Sequence, residues 1–505
     1  MEETLQALGY TKEQIQEALL HCKTVEEAIV YLPLNSSSPI QSRKAVPPVY
    51  EISESESDCV DLAKESSEEE SDSPSVHFRG DTVFCNHIAA IHRVDERRYF
   101  NFHKIFSTSY SLEHDKDISH IFLSSFVVSS DLLNSILEQH RNAEVTLSCH
   151  LDMESSDRDP VVSENGKHKI FFPSFPRMFG YGCFHPKLIL IRFPDRLRVV
   201  ISSANLIEED WDEWSQCIWT QDFFNLRDGE TGVAAKRLDL EFRTQLITFL
   251  KRCECPEDRI FNLLRGVFFR NVRVRLVASV PGFFHSSSMG QFGHLRLRAI
   301  LASLREFETA IGLEGKLPPI LSLSSSMGSP SANWLRSILA SCHGRNALPA
   351  DVSIADAVHL VYPTVSYVQS SRIGPDMAGS LLFHARTYQS KSFPKKCLKR
   401  YKDAQGREGC LPHAKYLMNV PMKNRPHLPW IYVGSHNFTR SAWGALQKKD
   451  TELFITNYEC GVVLLPKNYV DWMNGDLKIE NHPKERTEGD LCEAVDLAFD
   501  SPCLP

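Results

Sequence analysis

Two short stretches restrict the fold of this 505-residue chain more than anything else in it: Phe184-His185-Pro186-Lys187-Leu188 and Pro412-His413-Ala414-Lys415-Tyr416. Each is a His-x-Lys triplet entering a hydrophobic run. Each run leads to a small-residue cluster ending in asparagine, Ser202-Ser203-Ala204-Asn205 in the first and Gly434-Ser435-His436-Asn437 in the second. One such triplet carries little information. Two, far apart and with parallel surroundings, point to a duplicated unit: two similar lobes that face each other across one shared centre.

The chemistry follows from the side chains. On a strand, residues i and i+2 point to the same face, so His185 projects with Lys187 and His413 with Lys415. A returning strand would bring Asn205 and Asn437 beside these pairs. Two imidazoles, two ammoniums and two amides around one point suit a phosphodiester. Lysine and asparagine donate to the non-bridging oxygens and stabilise charge in the transition state. One neutral histidine attacks phosphorus and the other protonates the leaving oxygen. The lysines supply the positive charge, so this reading implies no metal and no cofactor.

The rest of the chain sorts into segments. Residues 1–34 read as three short helices, with capping-box patterns at Thr11-x-x-Gln14 and Thr24-x-x-Glu27. Residues 35–76 are rich in Ser, Glu, Asp and Pro and too poor in large apolar residues to offset their ordering entropy, so a disordered linker is expected. From 77 onward, strand-like runs (Ile121–Val128, Leu188–Arg192, Leu197–Ile201, Val272–Ala278, Ile431–Gly434, Leu453–Ile455) alternate with helical patterns (Asp131–His140, Ala234–Arg252, Gly293–Leu304, Asn333–Ala340). This is α/β architecture. The expected division is a first lobe over 77–260, a second over 261–466 and a polar tail over 467–505.

The formal net charge of −8 is unevenly spread: residues 51–72 hold ten acids against one lysine, so the acidity belongs to the N-terminal region. The body can therefore still bind a polyanion. Lys391, Lys395, Lys396, Lys399, Arg400, Lys402 and Arg407 form a basic run just before the second triplet. Fourteen cysteines lack zinc-site spacing and read as reduced thiols, which favours nucleus or cytosol. No apolar run approaches the roughly 18 to 20 residues needed to span a bilayer.

With these residues in view, the chain resembles the phospholipase D superfamily, and within it the tyrosyl-DNA phosphodiesterase family. Arg192 and Val420 stand where the broad superfamily motif carries an aspartate, a loss that is a feature of this branch. Supporting blocks are Asn205-Leu206-Ile207 with Asp210-Trp211, Gln216-Cys217-Ile218-Trp219, Ser325-Ser326-Met327-Gly328-Ser329, Asn437-Phe438-Thr439-Arg440 and Tyr458-Glu459-Cys460-Gly461.

The resemblance implies two phospholipase D-like α-β-α lobes forming one active site at their interface, and hydrolysis of 3′-phosphotyrosyl and related 3′-end adducts on DNA. His185 would be the nucleophile and His413 the general acid and base, with Lys187, Lys415, Asn205 and Asn437 around them. Gln216 and Glu459 would orient the two imidazoles, and Tyr181, Ser326 and Ser329 would contact DNA. The helices of 1–34 resemble a ubiquitin-associated domain, which brings in ubiquitin as a partner. The family continues past Pro466 with a Pro/Trp-containing segment. Here a polar tail follows, so a shortened second lobe is expected. A monomeric nuclear enzyme is the leading expectation. A catalytically impaired DNA- and ubiquitin-binding adaptor and a general nuclease of the superfamily are the alternatives.

Overall fold

The structure is a computed structural model that describes Lys12, Gln16 and residues 77–475, apart from 89, 92–98, 109–116, 152–157, 177–180, 226–235, 314, 392, 405 and 421–427. Apart from Lys12 and Gln16, the expected N-terminal helices and acidic linker lie outside the described residues, as does the chain from 476 to 505.

The first lobe is built on β1 (Arg79–Asn86), β2 (Tyr99–Phe100), β3 (His120–Ser125), β4 (Glu144–Cys149), β5 (Val161–Val162), β6 (His168–Phe171), β7 (Leu188–Arg192), β8 (Arg196–Ser202) and β9 (Cys217–Phe224). They form one sheet in the order β2-β1-β9-β8-β7-β3-β4-β6-β5. The second lobe uses β10 (Val274–Ser279), β11 (Gly282–His285), β12 (Ile320–Leu323), β13 (Val358–Tyr362), β14 (Leu398–Arg400), β15 (Tyr416–Asn419), β16 (Ile431–Gly434), β17 (Ala445–Gln447), β18 (Glu452–Ile455) and β19 (Glu459–Leu464). Its main sheet runs β10-β19-β16-β15-β12-β13-β14, with a small sheet β11-β18-β17 beside it.

The duplication is written into these orders. The run β1-β9-β8-β7-β3-β4-β6 of the first lobe repeats strand for strand as β10-β19-β16-β15-β12-β13-β14 in the second. Pairing sense repeats too. The pairs β1–β9, β9–β8, β8–β7 and β7–β3 are antiparallel, and so are β10–β19, β19–β16, β16–β15 and β15–β12. The pairs β3–β4 and β4–β6 are parallel, as are β12–β13 and β13–β14. Central strands such as β7 (LILIR) are buried on both faces, so they read as continuous apolar runs rather than as alternation.

A single hydrophobic core crosses the lobe boundary. Leu188, Ile201, Cys217 and Trp219 of the first lobe pack in one cluster with Tyr416, Val433, Cys460 and Val462 of the second. The buried Arg407 guanidinium also crosses it, donating from Nη1 to the Asn86 carbonyl and from Nη2 to Asn86 Oδ1, both at 2.9 Å. The lobes are thus halves of one folding unit.

Three boundaries differ from the sequence reading. The division expected at 260 falls inside the helix Glu257–Leu264. The stretch expected to begin a polar tail instead opens with the helix Lys467–Met473, which packs Tyr469, Val470 and Met473 into the second-lobe core. Three apolar positions in a seven-residue helix give too short a period to stand out from a polar context. Finally, His185–Lys187 and His413–Lys415 sit in the extended segments just before β7 and β15 rather than on those strands.

Candidate active site

Each triplet is seated by backbone pairing with the opposite lobe. Phe184 forms a parallel bridge with Tyr458, where the His185 amide donates to the Tyr458 carbonyl at 3.1 Å. Ser215 forms the matching bridge with Pro412, where the His413 amide donates to the Ser215 carbonyl at 2.9 Å. The residue after each receiving carbonyl, Glu459 or Gln216, therefore lies beside the imported histidine.

The side chains follow that crossing. His185 Nδ1 bonds Glu459 Oε2 at 2.8 Å, and His413 Nδ1 bonds Gln216 Oε1 at 3.2 Å. Each imidazole is thus oriented by the other lobe. Serines hold these partners in equivalent ways: Ser203 Oγ donates to Gln216 Oε1 at 2.7 Å, and Ser435 Oγ donates to Glu459 Oε2 at 2.5 Å. Ser203 Oγ accepts from the Cys217 amide and Ser435 Oγ from the Cys460 amide. Gln216 Nε2 donates to the Asp210 carbonyl at 2.9 Å, which fixes which end of the amide faces His413. Because both acceptors take a proton from Nδ1, each ring presents Nε2 for chemistry.

Lys187 and Lys415 are buried, and each Nζ donates to the carbonyl of its own histidine, at 2.8 and 2.5 Å. Asn205 Nδ2 donates to Asp210 Oδ2 at 2.8 Å, and the Asn205 amide donates to the same oxygen at 2.6 Å. Asn437 Oδ1 accepts from the Ser326 amide at 3.0 Å and from Ser325 Oγ at 3.3 Å. With its oxygen held there, the Asn437 NH₂ group is the end left for an anion.

Electrostatically the centre is short of negative charge. Burial pushes the Lys187 ammonium down to about 8. Burial, with Lys187 adding to it, pushes Lys415 down to about 7. Burial lowers His185 to about 4 against the pull of Glu459. Burial and then Lys415, Lys187 and His185 drive His413 well below its usual value. Burial alone would raise Glu459, but the facing His185, His436 and Ser435 overcome it and hold the carboxylate down at about 2. An anion in this site would relieve the stress on the two lysines.

The residues expected outside the centre are placed as follows. Tyr181 is 62% exposed. Ser326 lies beside Asn437, and Ser329 bonds Thr387 at 3.1 Å on the surface. Arg407, expected with the basic run, is instead buried between the lobes, because only there are its donors met by Asn86 and Ser215.

Sequence reasoning did not single out Asp210, Ser203, Ser435 or Phe126 as site residues. The Phe126 ring centroid lies 5.6 Å from that of His185. The serines carried a legible signal, since Ser-x-Asn occurs in both copies. Phe126 carried none, because it arrives from the end of β3, remote in sequence.

Paired lobes of this topology, each giving a His-Lys pair to a shared buried centre, define a phospholipase D-type fold. The family profile described as tyrosyl-DNA phosphodiesterase matches residues 94–505. The chain belongs to the tyrosyl-DNA phosphodiesterase family. It is 29% identical over 369 residues to tyrosyl-DNA phosphodiesterase 1 of Arabidopsis thaliana, covering 69% of this chain and 57% of the relative. It is 26% identical over 295 residues to the Drosophila melanogaster protein of that name, covering 56% and 50%. The crystal structure of the yeast tyrosyl-DNA phosphodiesterase shares the fold, with a TM-score of 0.54 at 18% identity over 76% of this chain and 89% of that one. The matches span about half to two-thirds of the length of the curated relatives.

Proposed function

We propose that this protein is a DNA-repair phosphodiesterase that hydrolyses 3′-phosphotyrosyl and related 3′-end adducts through a phosphohistidine on His185. The observation that carries the proposal is the unequal pairing of the two imidazoles, His185 to a carboxylate and His413 to an amide. A carboxylate at Nδ1 raises the electron density at Nε2 and supports the positive ring formed when that nitrogen bonds phosphorus. A neutral amide fixes the other ring without holding it charged, so it can give up a proton and later take one back.

In the first step His185 Nε2 forms a bond to phosphorus, the bond to the tyrosyl oxygen breaks, and His413 Nε2–H protonates that oxygen. In the second, water attacks phosphorus, its proton passes to His413, and the phosphorus–nitrogen bond breaks to leave a 3′-phosphate. Lys187 and Lys415 neutralise the non-bridging oxygens, and Asn205 and Asn437 donate hydrogen bonds to them. The lysines supply this charge, so no added metal is required.

The DNA strand enters past exposed Tyr181, a surface on which a base can stack whatever its sequence. It is fixed by phosphate contacts at Ser326 and Ser329. Beyond them, exposed Lys395, Lys396, Lys399, Arg400 and Lys402 extend a basic surface, with Lys395 Nζ 4.7 Å from the centroid of the Tyr388 ring. On this reading the protein acts as a monomer in the nucleus, and residues 1–34 would recruit it to ubiquitin-bearing adducts.

The test is release of 3′-phosphate from a 3′-phosphotyrosyl oligonucleotide in EDTA. Wild type turns over and His185→Ala does not. Turnover that depends on added divalent metal contradicts the mechanism.

A further inference from the structure

Besides the Glu459/Gln216 difference, the symmetry between the lobes fails at a second position that bears on the chemistry. Asp210 lies five residues after Asn205, and the position five residues after Asn437 is Ala442. Asp210 is 1% exposed, and its Oδ2 is the shared acceptor of the Asn205 amide and Asn205 Nδ2. The same oxygen stands 3.6 Å from His413 Nδ1, on the ring that Gln216 also holds. Asp210 Oδ1 and Asn205 Oδ1 are buried with no hydrogen-bond partner among the described residues. Burial raises the Asp210 carboxyl above its ordinary range, and the Asn205 amide, Lys415 and Lys187 pull it back toward the charged form. The other groups facing this pair are cationic or neutral: Lys415, Lys187 and His185 act on His413. Trp214 covers the His413 ring edge-on at 5.8 Å.

Each histidine therefore has one carboxylate at its Nδ1 side, delivered from the opposite lobe. His185 receives Glu459 as a direct partner. His413 receives Gln216 as its partner and Asp210 just behind, at a distance where charge acts without a committed hydrogen bond. We propose that Asp210 is a positioning residue for both half-reactions, clamping Asn205 toward phosphorus and supplying the counter-charge for the imidazolium form of His413.

Building on the phosphodiesterase reading, the assignment accounts for how an imidazole surrounded by lysines can carry a proton at all. The protonated ring is needed before the first step, when Nε2–H goes to the leaving oxygen, and is regenerated in the second, when water gives Nε2 its proton. Asp210 exchanges no proton in either step. Its charge sets how readily His413 holds one. That matters most for a basic leaving group such as tyrosinate, and little for one that departs without protonation.

The variant is Asp210→Asn, which keeps a carbonyl oxygen for the Asn205 contacts and removes the charge. Single-turnover rates are compared on 3′-phosphotyrosyl and 3′-(4-nitrophenyl phosphate) forms of one oligonucleotide, and each rate is followed against pH. The expected result is a loss of roughly tenfold or more on the tyrosyl substrate and under about threefold on the nitrophenyl one, with the alkaline limb of the tyrosyl profile moved to lower pH. The ratio is internal to one protein sample, so partial misfolding cancels. Asn205→Ala, which removes the clamped amide and leaves the charge, lowers both substrates alike. Equal losses on both substrates in Asp210→Asn, with the limb unmoved, overturn the proposal.

A second readout does not need turnover. With histidine labelled at Cε1, the His413 resonance titrates at lower pH in Asp210→Asn than in wild type. An unmoved midpoint overturns the proposal on its own. A moved midpoint in a protein inert toward both substrates supports Asp210's role and contradicts the phosphodiesterase reading instead.

Discussion

Replacing Glu459 by Gln tests the electrostatic asymmetry with little change of shape. The carboxylate lies 2.8 Å from His185 Nδ1, takes a hydroxyl from Ser435 at 2.5 Å and is met by Asn457 Nδ2 at 3.2 Å. Glutamine can keep an oxygen toward the ring, so the loss is mainly of charge. When His185 bonds phosphorus, its ring becomes positive. A charge about 5 Å away at an effective dielectric of about 20 is worth roughly 3 kcal/mol. The difference between a charge-assisted and a neutral hydrogen bond gives a lower figure of about 1 to 2 kcal/mol. Taking about 2 to 3 kcal/mol, phosphohistidine formation slows roughly 30- to 150-fold.

The assay is rapid-quench release of tyrosine from a 3′-phosphotyrosyl oligonucleotide under single-turnover conditions. The unfolding midpoint is measured in parallel to show that the variant is folded. KM should change little, because Glu459 is buried behind the His185 ring, on its Nδ1 side. A folded Glu459→Gln protein within about threefold of wild type would refute the argument that the carboxylate supports the ring charge.

Acid should destabilise the fold through its buried neutral histidines. Burial holds His185 and His436 down at about 4 and His294 at about 3. Between those values and the unfolded value of about 6.5, the unfolded chain binds more protons, so stability is complete above that value and is lost as pH falls toward 4. Scanning calorimetry should show Tm falling by several degrees from about pH 7 to about pH 5, and a flat profile contradicts the neutral assignment. Sulfate, dianionic throughout, should inhibit competitively at about pH 6.5 and weaken by roughly tenfold toward pH 9 as Lys415 and Lys187 lose their protons; pH-independent inhibition contradicts the paired-lysine anion site. Reversing Lys395, Lys399 and Lys402 to Glu should raise KM for long single-stranded substrates about tenfold or more. It should leave kcat, and KM for a substrate only a few nucleotides long, unchanged. Equal effects at every length would place the basic surface off the DNA path.

The duplication was legible because the two His-x-Lys triplets and the strand pattern coincide. Both His-x-Lys triplets precede largely buried strands, β7 and β15, whose apolar runs mark them without any need for periodicity. What the sequence hid is the crossing. Gln216 and Glu459 were expected to orient the imidazoles, but no local pattern tells which residue serves which ring. Only the bridges Phe184–Tyr458 and Ser215–Pro412 decide it. Asp210 was obscured for a related reason: a carboxylate in a short acidic helix, Glu208–Asp212, reads as surface charge until the fold buries it against Asn205 and His413. Arg407 shows the reverse error, a basic residue in a solvated run that proves to be an inter-lobe clasp.

Trapping the covalent intermediate reads out which histidine bonds phosphorus. His413→Ala is mixed with the 3′-(4-nitrophenyl phosphate) oligonucleotide, whose leaving group needs no acid, so the first step proceeds while the second lacks its base. The account predicts a burst of nitrophenolate and a stable protein–DNA adduct, with the phosphoryl group mapped by mass spectrometry to His185. An adduct on any other residue, or a burst with no adduct, would contradict it.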